Sequence, residues 1–155
     1  MPAISRWFVD SPEADMTLPE LIRFYQDLSP DSVARFPEFY SENAYFKDPF
    51  NEVHGLAAIQ RIFTHMYTQV AEPRFTITGQ VADANGAVLV WELRYRVRFW
   101  GKGEGQIMRG VSHLTFDADG KVTYHRDYWD TSEELYMKLP VIGLLMRALK
   151  RMLAA

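Results

Sequence analysis

Asp48 has the strongest claim to chemistry in this chain. It stands in the run Tyr45-Phe46-Lys47-Asp48-Pro49-Phe50. A carboxylate held among aromatic rings binds its proton more tightly than one in water, which suits proton removal next to a carbonyl. An Asp-Pro turn, with the side chain accepting from nearby amides, accounts for the same residues. Both readings stand at this point.

A second group lies further along. His125, Asp127 and Trp129 alternate and so share one strand face, while Arg126, Tyr128 and Asp130 share the other. His113 and Ser112 sit on the strand before. A His–Asp or Asp–Asp pair facing a cavity would relay a proton; the polar outer face of a half-solvated sheet would use the same residues. Asp48, His113 and Asp127 are therefore the candidate catalytic groups.

Other chemistries find less support. The four histidines, His54, His65, His113 and His125, do not pair at the helical spacing of a zinc site, and there is no cysteine. No metal is expected. Gly101, Gly103 and Gly105 form a hairpin loop with no helix after it, so they do not cradle a dinucleotide. Ser112 lacks the context of a nucleophile elbow. No cofactor is expected either. Arg94, Arg96 and Arg98 make a basic row that could grip an anion, but strand rows of this kind usually pair with carboxylates on neighbouring strands.

The elements that must position these groups follow from periodicity. Thr17 caps a first helix with Pro19 in its first turn, and Leu21, Phe24, Tyr25 and Leu28 share a face. A second, short helix over 32–40 is bent by Pro37, and 44–48 is a strand ended by Pro49. Gly55 opens a third helix with Leu56, Ile59, Ile62, Phe63, Met66 and Val70 on one side. After Pro73 the period becomes two. Strands are expected over 75–81, 88–100, 106–116 and 121–129, joined by turns. Trp91, Leu93, Tyr95, Val97 and Phe99 face one way along the second of these. Thr131 and Glu134 match a capping box, Pro140 interrupts the helix they start, and 141–153 resumes it. Helices followed by an antiparallel meander define an α+β fold. The domain spans 18–130, with an arm at 1–17 and a helical extension at 131–155 packed on it.

Composition narrows the partners. With 155 residues, 48% of them hydrophobic and 14% aromatic, one domain with a real core is expected. A formal charge of -3 argues against a nucleic-acid binder. No secretion signal and no membrane-spanning run are read, which makes the cytoplasm the default. The basic, amphipathic stretch 141–153 packs on its own domain by default; capping the pocket, dimer packing and contact with a membrane surface are the alternatives.

Tyr45-Phe46-Lys47-Asp48-Pro49-Phe50, then His54-Gly55-Leu56-Ala57-Ala58-Ile59, resembles the signature of the nuclear-transport-factor-2-like superfamily. That group includes ketosteroid isomerases, SnoaL-type polyketide cyclases and limonene epoxide hydrolases. The closing run Tyr124-His125-Arg126-Asp127-Tyr128-Trp129-Asp130 is similar to the last strand of the SnoaL-like and epoxide-hydrolase branches. The resemblance covers about 18–130. It implies a cone-shaped curved sheet on three helices, a pocket for a small apolar molecule, and a homodimer.

It also implies roles residue by residue. Asp48 falls on the isomerases' general base. Their oxyanion tyrosine falls at Phe24, which has no hydroxyl, and their protonated aspartate at Ser112, which could donate one weaker hydrogen bond. One lost oxyanion donor costs about 2.7–4 kcal/mol of transition-state stabilisation, so a strict ketosteroid isomerase is not expected. The epoxide-hydrolase triad of two aspartates and an arginine is half supplied by Arg126-Asp127, but Glu92-Leu93-Arg94 reverses the order that branch needs. The cyclase branch asks only for an acid/base aspartate beside a polar group. The expected function is binding of a small apolar molecule, with Asp48 as base in cofactor-free isomerase or cyclase chemistry; a non-catalytic binding or dimerisation domain is the alternative. The expected pocket wall is Phe24, Tyr45, Phe50, His54, Phe63, Trp91, Tyr95, Ser112, His125 and Trp129.

Overall fold

Residues 14–98, 105–138 and 140–153 are described by a computed structural model. The expectations for the N-terminal arm up to residue 13, for Phe99 and for the Gly101-Gly103 turn lie outside them. Helix α1 (Ala14–Gln26) begins three residues before the cap expected at Thr17 and holds Pro19 inside its second turn. A proline there forfeits one backbone hydrogen bond; the buried face of Leu18, Leu21, Phe24 and Tyr25 compensates.

The second helix of the sequence reading is two pieces, a 3-10 turn (Asp31–Arg35) and α2 (Phe36–Phe39). Strand β1 (Tyr40–Lys47) follows at once and is longer than expected. It pairs with the short β2 (Glu52–His54), too short to carry an alternation signal in the sequence. Gly55, at φ 90°, then turns the chain into α3 (Leu56–Gln69). That backbone angle suits a residue without Cβ.

Strand β3 (Val70–Asp83) starts ahead of Pro73, because a register shift between Ala71 and Arg74 accommodates the proline. Strands β4 (Gly86–Val97), β5 (Gly105–Phe116) and β6 (Val122–Trp129) complete a meander. The sheet order is β2-β1-β6-β5-β4-β3. Neighbours are antiparallel except β1 and β6, which run parallel with Phe46 opposite His125. This pairing carries the early strand to the last one and closes the core.

One face of the sheet packs on the helices. Leu21 and Phe24 of α1, Ile59 and Phe63 of α3, and Phe46, Leu89, Leu114 and Val122 of the sheet form one buried cluster. Trp91, Leu93 and Tyr95 form a second. On the opposite face of β4, Arg96 pairs with Glu72 and Arg94 with Glu92, which also holds Arg109 of the next strand, while Arg98 donates to the Tyr67 and Val70 carbonyls.

Helix α4 (Thr131–Glu134) is capped by Asp130, whose side chain accepts from the amides of Ser132 and Glu133. The cap is thus one residue earlier than the Thr131 expected from the capping-box pattern. Glu134, buried, accepts from the Arg109 amide at 3.2 Å and ties α4 to β5. A 3-10 turn (Tyr136–Lys138) leads to α5 (Pro140–Leu153), of which Gly143 is buried and most apolar side chains are exposed. Among the described residues, no helix is long and apolar enough to cross a membrane.

Candidate functional site

A cavity lies between helices and sheet. Tyr25 of α1, Leu28 just beyond it and Phe63 of α3 wall one side. Phe75, Ile77, Leu89 and Trp91 of β3 and β4 wall the other, and Ser112, His125 and Asp127 of β5 and β6 supply the polar groups. The cavity volume is only ≈ 20 Å³. That is about one water's worth. Anything larger requires the apolar wall to give way.

The polar groups form one continuous hydrogen-bonded chain. Trp91 Nε1–H donates to Ser112 Oγ at 2.9 Å, and Ser112 donates to Asp127 Oδ1 at 2.5 Å. His125 Nε2 meets the same carboxylate oxygen at 2.8 Å. His125 Nδ1 lies 2.6 Å from Tyr40 Oη, which lies 2.6 Å from Tyr25 Oη. A buried polar group without a partner costs about 1–3 kcal/mol, so a fully connected chain of this kind holds its members in place. Stacking fixes the imidazole as well: Phe46 meets it edge-on at 4.9 Å and Tyr40 lies nearly parallel at 6.1 Å.

Proton positions follow from chemistry. An ionised Asp127 only accepts, so Nε2 of His125 donates to it. With a neutral ring Nδ1 accepts from Tyr40, which accepts from Tyr25. With a protonated ring the order reverses, and the Tyr25 hydroxyl is left to donate into the cavity. Burial pushes both phenols far above the ordinary tyrosine range, so each remains a hydrogen-bond donor and does not ionise. Asp127 Oδ2 has no hydrogen bond among the described residues.

The residues expected at the site separate into two groups. Phe63, Trp91, Ser112, His125 and Asp127 come together at the cavity. Asp48 does not. Its Oδ1 accepts from the amides of Phe50 at 2.7 Å and Asn51 at 2.6 Å, and Asn51 Nδ2 bridges both oxygens. It closes the turn between β1 and β2 and borders an open cleft with Lys47, Arg126 and Tyr128, which Trp129 also lines and which Asp127 joins from the cavity side.

His113, Tyr45 and His54 are on the other face of the sheet. There Tyr124 packs between Tyr45, stacked at 5.2 Å, and His113 at 5.3 Å, and His54 lies against Tyr45 at 4.9 Å. Phe50 is exposed and meets Trp129 edge-on at 5.3 Å. Trp129 and Tyr95 belong to the second core cluster. Phe24 stacks on Phe39 at 4.3 Å inside the core, and the next residue, Tyr25, reaches the cavity.

Ser112 has one hydroxyl proton and gives it to Asp127, so it is not free to donate to a ligand. Arg126 does not join Asp127 in a triad: strand alternation places it on the other face, over the Tyr128 ring at 4.6 Å. Among the described residues, no group of three or more His, Asp and Glu is placed to hold a metal ion. Sequence reasoning missed Tyr40 altogether, since a tyrosine closing a helix carries no local signal of a partner 85 residues away.

The SnoaL-like domain profile matches residues 21–125. Among solved structures of similar fold, a protein from Shewanella putrefaciens CN-32 with the provisional name SnoaL-like polyketide cyclase is 18% identical, with a TM-score of 0.66. The match covers 83% of this chain and 99% of that one. A nuclear-transport-factor-2-like protein of unknown function from Burkholderia pseudomallei K96243 is 16% identical, with a TM-score of 0.66 over 79% of this chain and 95% of the other. A protein of ketosteroid-isomerase-like fold from Catenulispora acidiphila DSM 44928, in complex with trimethylamine, is 12% identical, with a TM-score of 0.63 over 81% and 92%. No curated protein matches the chain.

Proposed function

The chain belongs to the SnoaL-like domain family, and on that premise we propose that it binds a small, largely apolar molecule carrying one or two carbonyl groups and moves a proton on it without a cofactor. The observation that carries this reading is the Tyr25–Tyr40–His125–Asp127–Ser112 chain, which brings a carboxylate and a phenol to one apolar cavity. Asp127 Oδ2 takes the proton from the carbon next to a carbonyl. The enolate oxygen accepts from Tyr25, whose hydroxyl turns toward it when His125 carries two protons. The same Oδ2 returns the proton to a different carbon in an isomerisation. In a cyclisation the carbanion attacks a second carbonyl carbon instead, and the new alkoxide takes back the proton held on Oδ2.

Asp48, the base expected from its aspartate-proline position, is replaced in this reading by Asp127. The small void favours a compact ligand, and a relative of the same fold holds trimethylamine. A second reading, binding without chemistry, is favoured by the same closeness of the walls. The outer sheet face, with Val88, Val90 and Tyr128 exposed, is proposed to pair with a second copy.

The location of binding is tested by titrating the protein with a small cyclic ketone and following side-chain resonances by NMR. Shifts are expected at the Trp91 indole N–H and the His125 ring. Shifts confined to Lys47, Tyr128 and their cleft would move the site elsewhere.

A further inference from the structure

We propose that α5 is a surface anchor that lays this domain on an anionic lipid bilayer. Val141, Leu144, Leu145, Met152 and Leu153 are exposed, Val141 and Met152 by 82% and 81%. Successive residues turn by about 100° in an α-helix, and on that spacing the apolar side chains of α5 cover more than half of its circumference. Arg147, Lys150 and Arg151 share the remaining arc with Gly143, and no residue of the helix is acidic. Contiguous apolar surface of this extent is rarely left in water.

Charge decides between the surfaces that would cover it. The chain carries -3 overall, yet this helix carries only cations. Packing against a second helix uses a narrower apolar stripe, usually flanked by charges of both signs that pair across the seam. A wide apolar arc edged by cations alone matches a planar phase with a hydrocarbon interior and negative headgroups. At about 1.5 Å per residue the helix is about 21 Å long, too short to span a bilayer of about 30 Å, so it lies in the interface.

The test is flotation of the full chain with vesicles of phosphatidylcholine mixed with phosphatidylglycerol, beside vesicles of phosphatidylcholine alone. Binding to the mixed vesicles is expected, weaker by about tenfold or more on the neutral ones or in high salt. Leu144→Glu/Leu145→Glu should abolish binding and Lys150→Glu/Arg151→Glu should remove the preference for anionic lipid, both with unchanged thermal unfolding. Absence of the wild-type chain from floated vesicles overturns the proposal. So does equal flotation of the leucine variant, or a dimer in solution scattering that Leu144→Glu/Leu145→Glu dissociates, which would make a second copy the occupant.

Discussion

Trp91 Nε1 and Ser112 Oγ meet at 2.9 Å across β4 and β5, and the contact exists because Gly110 has no side chain. A Cβ on Gly110 would lie 2.3 Å from Cζ2 and 2.4 Å from Cη2 of the Trp91 ring. Trp91 is buried, with 5% of its surface exposed.

Gly110→Ala is therefore expected to push the indole off Ser112 and destabilise the fold by about 1–3 kcal/mol. Urea unfolding gives the cost, and the indole N–H resonance reports the lost hydrogen bond. An unchanged midpoint and resonance would mean that the ring is not held as described.

Tyr40→Phe removes the middle of the chain. His125 Nδ1 and Tyr25 Oη each lose a buried partner, so a loss of about 1–3 kcal/mol is expected. The double variant Tyr25→Phe/Tyr40→Phe should cost less than the two single changes summed, because the second removes a group already unpaired. Strict additivity in the cycle would contradict a connected chain.

Alkaline pH tests the two phenols together. Their folded proton affinity is raised by burial above that of the unfolded chain, so they contribute stability that is complete below about pH 10 and falls as pH rises beyond it. Each contributes a slope of about 1.4 kcal/mol per pH unit there. Tyr67, half-buried and pushed up to about 12, adds to the slope more weakly. Urea midpoints against pH should steepen above about 10 in the wild type and less so in Tyr25→Phe/Tyr40→Phe.

Asp48 is expected to behave as a turn residue. Asp48→Ala removes the acceptor for the Phe50 and Asn51 amides and should cost about 1–2 kcal/mol, while Asp48→Asn keeps a carbonyl oxygen for both and should cost less. Thermal unfolding distinguishes them. Equal losses would remove the turn from the account.

What could be read from sequence, and what could not, follows from the range of each cause. The meander was legible because strand alternation is local: Trp91, Leu93 and Tyr95 face inward as their spacing implies. The face shared by His125 and Asp127 was legible for the same reason. The parallel pairing of β1 with β6 was not, since it joins Phe46 to His125 across the whole domain. Tyr40 depends on that pairing. The shift from Phe24 to Tyr25 at the cavity is a single helical step, about 100° of rotation, which an apolar pattern with aromatic residues at both positions does not resolve. Asp48 carried two readings in sequence, and only the positions of the Phe50 and Asn51 amides separate them.

The central claim, that Asp127 and not Asp48 handles the proton, is tested most directly by solvent-deuterium exchange into a small cyclic ketone, followed by NMR for the wild type, Asp127→Asn and Asp48→Asn. The wild type and Asp48→Asn should exchange the hydrogens beside the carbonyl at similar rates, and Asp127→Asn should be slower by about 10²–10⁴-fold. Exchange that survives in Asp127→Asn but is lost in Asp48→Asn would contradict the account.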